Sequence, residues 1–132
     1  MTRYRLLLQQ VRTLGRYTCD EEAERVLHAV LAVLGSQFTG EERCDLAAAL
    51  PERARAVFVN QIPLPQPVAA PAFVEAVARG LNTSLTAARW DVSSVLAALT
   101  DLVGDHLTDR LLADLPRGCA LLFGRADLTI AA

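Results

Sequence analysis

The sequence predicts an all-α protein, in which a unit of three to four helices occurs twice in tandem and packs into one compact helical domain. Three observations support this fold. Apolar residues make up 52% of the chain and aromatic residues only 5%, so the core must be aliphatic, and Leu and Ala favour helix. The apolar positions recur at helical spacing. The same pattern also returns after 65 residues, which is typical of a structural repeat.

The repeat is clearest when residues 23–59 are aligned without gaps to residues 88–124. Ten of the 37 aligned positions are identical, and several others exchange one apolar residue for another. The identical positions include Leu50, Pro51 and Phe58 in the first copy, and Leu115, Pro116 and Phe123 in the second. Because the matches fall at helical spacing, a duplication explains them better than a shared bias toward Ala and Leu.

Each copy is predicted to consist of amphipathic helices separated by capping residues, glycine or proline. In the first copy, two successive apolar faces are carried by Tyr4, Leu7, Leu8, Val11 and Leu14, and by Ala23, Val26, Leu27, Val30, Leu31, Leu34 and Phe38. Thr18 with Glu21 and Thr39 with Glu42 predict two capping boxes. Pro51 should separate a third helix from a fourth, because proline inside a helix removes a backbone hydrogen bond.

A proline-rich segment is predicted to join the two copies. It contains four prolines, whose alternation favours an extended path. The predicted repeats span residues 1–61 and 72–124, the linker spans residues 62–71, and an unassigned tail spans residues 125–132. In the second repeat we expect a break at Gly104, with Asp105 as the cap of the next helix. The apolar end of the tail, Leu128–Ala132, is a candidate contact surface.

Charge and cysteine content argue against several classes of protein. The chain has 13 basic residues, all arginine, against 15 acidic ones, for a net charge of −2, so no nucleic-acid binding is expected. Cys19, Cys44 and Cys119 are widely spaced, which argues against a disulfide framework or a zinc site. The sequence has neither a signal peptide nor an apolar run of membrane-spanning length. We therefore expect a cytoplasmic protein without a cofactor and without membrane contact.

The repeated pattern of aliphatic positions, followed by Leu-Pro and an aromatic residue, resembles a known family. The residues that carry it are Ala23, Leu27, Val30, Leu31, Leu34, Leu50, Pro51 and Phe58 in the first copy, and Phe73, Val77, Ala88, Val95, Leu96, Leu99, Leu115, Pro116 and Phe123 in the second. With these residues the chain resembles the family called domain of unknown function 2267. The resemblance covers nearly the whole chain and implies an all-α bacterial protein. It supplies no activity, cofactor or catalytic residue.

A basic stripe on the first helix is the candidate interaction surface. Arg5, Arg12 and Arg16 fall within about 40° of one another on a helical wheel. With Arg3 they are four arginines among the first 19 residues, which contain no acidic residue. The candidate ligands are phosphates, or an acidic patch such as Glu21, Glu22 and Glu24. The alternative is an ordinary solvated helix face.

Other residues with reactive side chains lack a catalytic or metal-binding pattern. They are His28 and His106, the Asp105-His106 pair with Ser93 or Ser94, and the acidic row Asp101, Asp105 and Asp109. For all of these we expect surface, helix-flank or capping roles. Cys19 lies near a predicted helix start, where a thiol can be activated, so a redox role is a further hypothesis. Trp90 is expected to pack in the core, with a contact between the copies or with a partner as alternatives.

The function expected by elimination is that of a non-enzymatic protein-interaction module, whose partner is a second copy of the chain or another protein. An exposed apolar patch would favour it. The alternative is a small-molecule-binding protein or small enzyme with a pocket between the two repeats. Polar residues that converge on an apolar cavity there would favour this alternative.

Overall fold

The secondary structure of the computed structural model, which describes residues 2–125, is entirely helical within that range. Its helices are α1 (Arg3–Gly15), α2 (Asp20–Leu34), α3 (Gly40–Ala49), α4 (Glu52–Val59), α5 (Ala70–Leu81), α6 (Leu85–Val103), α7 (Asp105–Ala113) and α8 (Cys119–Leu122). The all-α prediction is therefore confirmed.

Four helices form the centre of the molecule. The longest, α6, packs against α1, α2 and α5, and α2 also packs against α1 and α5. The shorter helices lie around this centre, with α4 on α2, α7 and α8 on α6, and α3 between α4 and α7. One cluster of buried side chains runs through the molecule, and it draws almost entirely on Leu, Val, Ala and Phe from both halves of the sequence. This cluster is the aliphatic core that the composition predicts.

Corresponding helices of the two predicted copies begin at equivalent positions. Helices α2 and α6 start at Asp20 and Leu85, and α3 and α7 start at Gly40 and Asp105. The contacts between the copies are also equivalent, because the first helix of each copy packs on the second helix of the other. Helix α1 packs on α6, and α5 packs on α2. The duplication itself stays a prediction.

The first predicted capping box, of Thr18 and Glu21, is wrong. Helix α2 begins at Asp20, and Cys19 occupies the N-cap position without a side-chain hydrogen bond. The reason lies in α1, where the Arg12 guanidinium donates to the Thr18 carbonyl at 3.0 Å and to Asp20 at 2.9 Å. These two bonds hold the segment before α2 in a different conformation.

Two further caps also differ from the prediction. Thr39 lies at the N-cap of α3, but its side chain makes no capping bond, because Gly40 has a φ of 66° and the first turn is not regular. Asp105 is the first residue of α7 rather than its cap, since Gly104, with a φ of 88°, precedes the helix. The helix starts were predicted to within two residues although the capping bonds are not formed.

Leu14 does not belong to the buried face of α1, contrary to the prediction. Its side chain is 40% exposed, and the buried position in this turn is Gly15. A Cβ atom at Gly15 would lie 2.1 Å from the Tyr17 ring. The last turn of α1 is therefore covered by Tyr17, and Leu14 is left at the edge.

The linker is anchored to the end of α2. The Leu64 N–H donates to the Ser36 carbonyl at 2.9 Å, and the Val68 N–H donates to the Gln37 side chain at 2.7 Å. Helix α5 starts at Ala70, with Pro71 in its first turn, so the linker ends slightly before the predicted boundary. The predicted contact surface Leu128–Ala132 lies outside the described residues.

Candidate functional site

Two of the three predicted stripe arginines meet within the molecule. Arg5 and Arg12 both form ion pairs with Asp20, at 3.3 and 2.9 Å. The Arg12 guanidinium, assisted by Arg5, holds the pKa of the Asp20 carboxyl below its usual value. Arg16 lies beyond the end of α1 in a left-handed conformation and is exposed. Within the molecule, Arg5 and Arg12 therefore pair with Asp20 and not with the predicted acidic patch of Glu21, Glu22 and Glu24. The role of the three arginines in binding another molecule stays a prediction.

The reactive side chains named from the sequence do not form one site. Ser94 donates to the Trp90 carbonyl at 2.9 Å, and His106 is exposed. Asp105 pairs with Arg125 at 2.8 Å, and Asp109 also binds this guanidinium. Asp101 accepts a bond from Gln10 at 2.5 Å. Between residues 2 and 125, no three His, Cys, Asp or Glu side chains are placed to hold a metal ion.

Trp90 is 52% exposed, so its predicted core position is wrong. Its indole N–H donates to the Gly15 carbonyl at 3.0 Å. The free carbonyl at the end of α1 gives the indole a partner at the surface, and the ring spans the contact between the two halves. Of the thiols, Cys19 and Cys44 are both exposed. Only Cys119 is buried among the three, and burial raises its pKa.

A groove runs between α2 and α5, which lie side by side and antiparallel. At one end, the side chain of Gln37, which follows α2, accepts a hydrogen bond from the N–H of Val68, which precedes α5. At the other end Leu81 lines a pocket with Glu22 and Val26, near the start of α2. The groove is open along its length and has a volume of about 720 Å³. We call it the α2–α5 groove; it lies between the two predicted repeats.

The α2–α5 groove is lined by small side chains along the middle and by polar ones at its rims. The small lining residues are Ala29, Ala32, Ala72, Ala76 and Gly80. Arg25 on α2 and Arg79 on α5 line the same end, since the two helices are antiparallel. At the other end the linker contributes Leu64 and Val68. The groove therefore combines an apolar end with a basic end.

His28 connects the groove to a hydrogen-bonded cluster behind it. The Tyr4 hydroxyl donates to Glu24 at 2.5 Å and lies 2.9 Å from Nε2 of His28. Because the single hydroxyl proton goes to Glu24, Nε2 of His28 must carry a proton and donate to Tyr4. Burial lowers the pKa of His28, while the Glu24 carboxylate opposes this shift. The imidazole is thus held neutral, in one tautomer.

The stability of the fold should depend on pH through His28. Because its pKa is lowered on folding, the unfolded chain binds the proton first, so stability is complete above about pH 6.5 and falls below it. We expect His28→Asn to lose less stability than the wild-type protein between pH 7.5 and 5.5, measured by urea unfolding. His106→Asn, which removes the other histidine at an exposed site, is the matched control for the loss of an imidazole. Equal slopes in all three proteins would contradict the assignment.

The comparisons with known proteins give a family and no activity. The model of the family described as "Uncharacterized conserved protein (DUF2267)" matches residues 4–122. The chain belongs to this family. No curated protein matches it closely enough to count as a relative. In this family member, no helix within residues 2–125 is long and apolar enough to cross a membrane.

The sequence suggested a pocket between the two repeats as an alternative, but it did not identify the residues that line the groove of this DUF2267 protein. Four of its lining residues are alanines, which the helical pattern assigns to no particular surface. A signal was nevertheless present, since Ala72, Ala76, Arg79 and Gly80 share one side of α5 at a spacing of three to four residues. What the sequence lacked was the information that α5 packs beside α2.

Proposed function

We propose that the protein is a non-enzymatic interaction module that binds a partner protein in the α2–α5 groove. The observation that supports this most is the apolar surface beside the groove. Leu64, which lines it, is 42% exposed, and Ile62, which lies in the chain between the groove-lining Gln61 and Leu64, is 85% exposed. Side chains of this kind, exposed together at the edge of an open groove, are typical of a protein-binding surface.

The two groove side chains that could serve as nucleophile and base, Ser36 and His28, are engaged in structural hydrogen bonds, which supports binding rather than catalysis. The Ser36 hydroxyl donates to the Val33 carbonyl at 2.6 Å. His28 is bound to Tyr4. Among the described residues, no hydrogen bond joins the Ser36 hydroxyl to the His28 imidazole. Nucleophilic catalysis by this serine would require such a bond.

The test is peptide binding to a protein whose groove has been filled. Peptides of 16 residues would be selected from a random display library on the wild-type protein. Ala76→Trp places an indole in the groove and should weaken the selected peptides at least tenfold, by fluorescence anisotropy. Ala48→Trp, at an exposed position of α3 outside the groove, is the matched control and should bind normally. Selected peptides that bind both variants equally would contradict the proposal, and so would a selection without enrichment.

A second copy of the chain is one partner of this kind. Light scattering over a range of protein concentrations distinguishes it from a different protein. A dimer that Ala76→Trp dissociates would identify the groove as a homodimer interface. A monomer throughout would leave another protein as the partner.

A small molecule is the second candidate ligand, and the convergence of Arg25, His28 and Arg79 on the groove favours it. A ligand that binds only the folded state raises the melting temperature. A thermal-shift screen with metabolites and metal ions should then give a rise in the wild-type protein that Ala76→Trp abolishes. No shift at saturating concentrations would count against this candidate.

A further inference from the structure

The two arginines at the basic end of the α2–α5 groove are not held in ion pairs, although Arg25 lies near enough to the Asp91 carboxylate to oppose the rise in its pKa that burial causes. Neither Arg25 nor Arg79 forms an ion pair with any carboxylate of residues 2–125. By contrast, most arginines of the described chain are ion-paired or bind backbone carbonyls; the ion-paired ones include Arg5, Arg12, Arg53, Arg110 and Arg125. Two guanidinium groups without an ion pair at one end of the groove are complementary to carboxylates of a ligand.

The remaining charges near the groove restrict where a carboxylate can bind. Glu75 lies one helical turn from Arg79 and also lines the groove, so it would repel an acidic group placed further along. Glu22 and Asp91 line a separate polar pocket on the other side of Arg25. The Asp91 carboxylate is bound there by the Tyr17 hydroxyl at 2.5 Å. Acidic groups of a ligand are therefore favoured only at the Arg25–Arg79 end.

The walls of the groove determine the conformation of the ligand. An extended peptide needs backbone hydrogen bonds from its receptor, and the helical walls α2 and α5 already use their own backbone groups internally. A helical ligand satisfies its backbone itself and needs only side-chain contacts. Between Arg25 and Ser36 the groove is about 16 Å long, which matches about three turns of helix.

Resting on the proposed function, we infer that the partner segment is an amphipathic helix of about three turns with acidic residues at one end. Its carboxylates pair with Arg25 and Arg79. Its apolar residues, spaced by three or four, lie over the small side chains of the groove and reach Leu64 and Val68. The separation of the acidic end from the apolar body gives the helix one orientation in the groove.

The experiment compares two double charge reversals in the 16-residue display selection. Arg25→Glu with Arg79→Glu changes the groove. Arg89→Glu with Arg117→Glu makes the same change in net charge at two exposed positions outside it. On the wild-type protein we expect enrichment of Asp and Glu at one end of an apolar pattern with helical spacing. The groove reversal should weaken these peptides at least tenfold and select Lys or Arg instead, while the outer reversal keeps the acidic preference.

The outcomes separate this inference from the proposed function. If Ala76→Trp abolishes peptide binding but the selected peptides show no acidic end, the groove binds proteins and the inferred partner is wrong. The inference also fails if both charge reversals weaken binding equally, since general charge would then explain the preference. If no selected peptide responds to Ala76→Trp, the proposed function fails first. A rise in melting temperature with a fatty acid such as dodecanoate, without any peptide binding, would contradict the inference and indicate a small anionic ligand instead.

Discussion

Replacing Phe58 with alanine is expected to lower the free energy of unfolding by about 3–5 kcal/mol, which is the usual cost of removing a buried aromatic ring. The Phe58 ring is fully buried, at 0% exposure. Its loss leaves a cavity at the α2–α4 contact and removes the ring over which the Arg43 guanidinium lies, at 5.2 Å. Phe123→Ala should fall in the lower part of this range, because its ring is 6% exposed and packs from the short helix α8. Urea unfolding measures both.

The neighbouring exposed residues provide matched controls. Val59→Ala and Leu121→Ala remove apolar side chains that are 47% and 56% exposed. Each should change the free energy of unfolding by less than about 0.5 kcal/mol. A loss below about 1 kcal/mol for Phe58→Ala would mean that this ring does not belong to the core.

Arg43→Met is the second large effect, with an expected loss of about 2–3 kcal/mol. The Arg43 guanidinium donates to four backbone carbonyls, those of Gly35, Phe38, Val59 and Gln61. These carbonyls lie at or beyond the ends of α2 and α4, where helices leave acceptors without partners. Methionine keeps most of the side-chain volume but satisfies none of them. Thermal and urea unfolding measure the loss.

Arg53→Met is the control for the loss of an arginine from the surface. Arg53 lies 3.8 Å from Glu24 with its side chain 66% exposed, and an exposed pair contributes less than about 1 kcal/mol. If the two variants lost equal stability, the carbonyl bonds of Arg43 would have no special importance.

Because Gln61 lines the groove, Arg43→Met should also weaken peptide binding.

The helices could be predicted because their apolar positions are regular. Val30, Leu31 and Leu34 mark the buried face of α2, and the same spacing returns in α6. Proline and glycine placed two of the breaks, since Pro51 separates α3 from α4 and Gly104 precedes α7. These features depend on local geometry, which a sequence displays directly. Phe38 was predicted on the apolar face of α2, but the helix ends at Leu34.

The surface could not be predicted in the same way, because it depends on contacts between distant segments. Arg12 reaches Thr18 and Asp20 and thereby replaces a capping box with another conformation. Trp90 finds its acceptor in Gly15, 75 residues away in the sequence. The α2–α5 groove likewise exists only once helices from the two halves lie side by side.

Photo-crosslinking tests most directly whether a partner occupies the α2–α5 groove. Benzoylphenylalanine would replace Ala76 in one protein and the exposed Ala48 in another, each irradiated with a selected acidic peptide. Mass spectrometry should find a crosslink from position 76 to the apolar body of the peptide, and little or none from position 48. Equal crosslinking at the two positions, or a crosslink from position 48 alone, would show that the partner binds elsewhere.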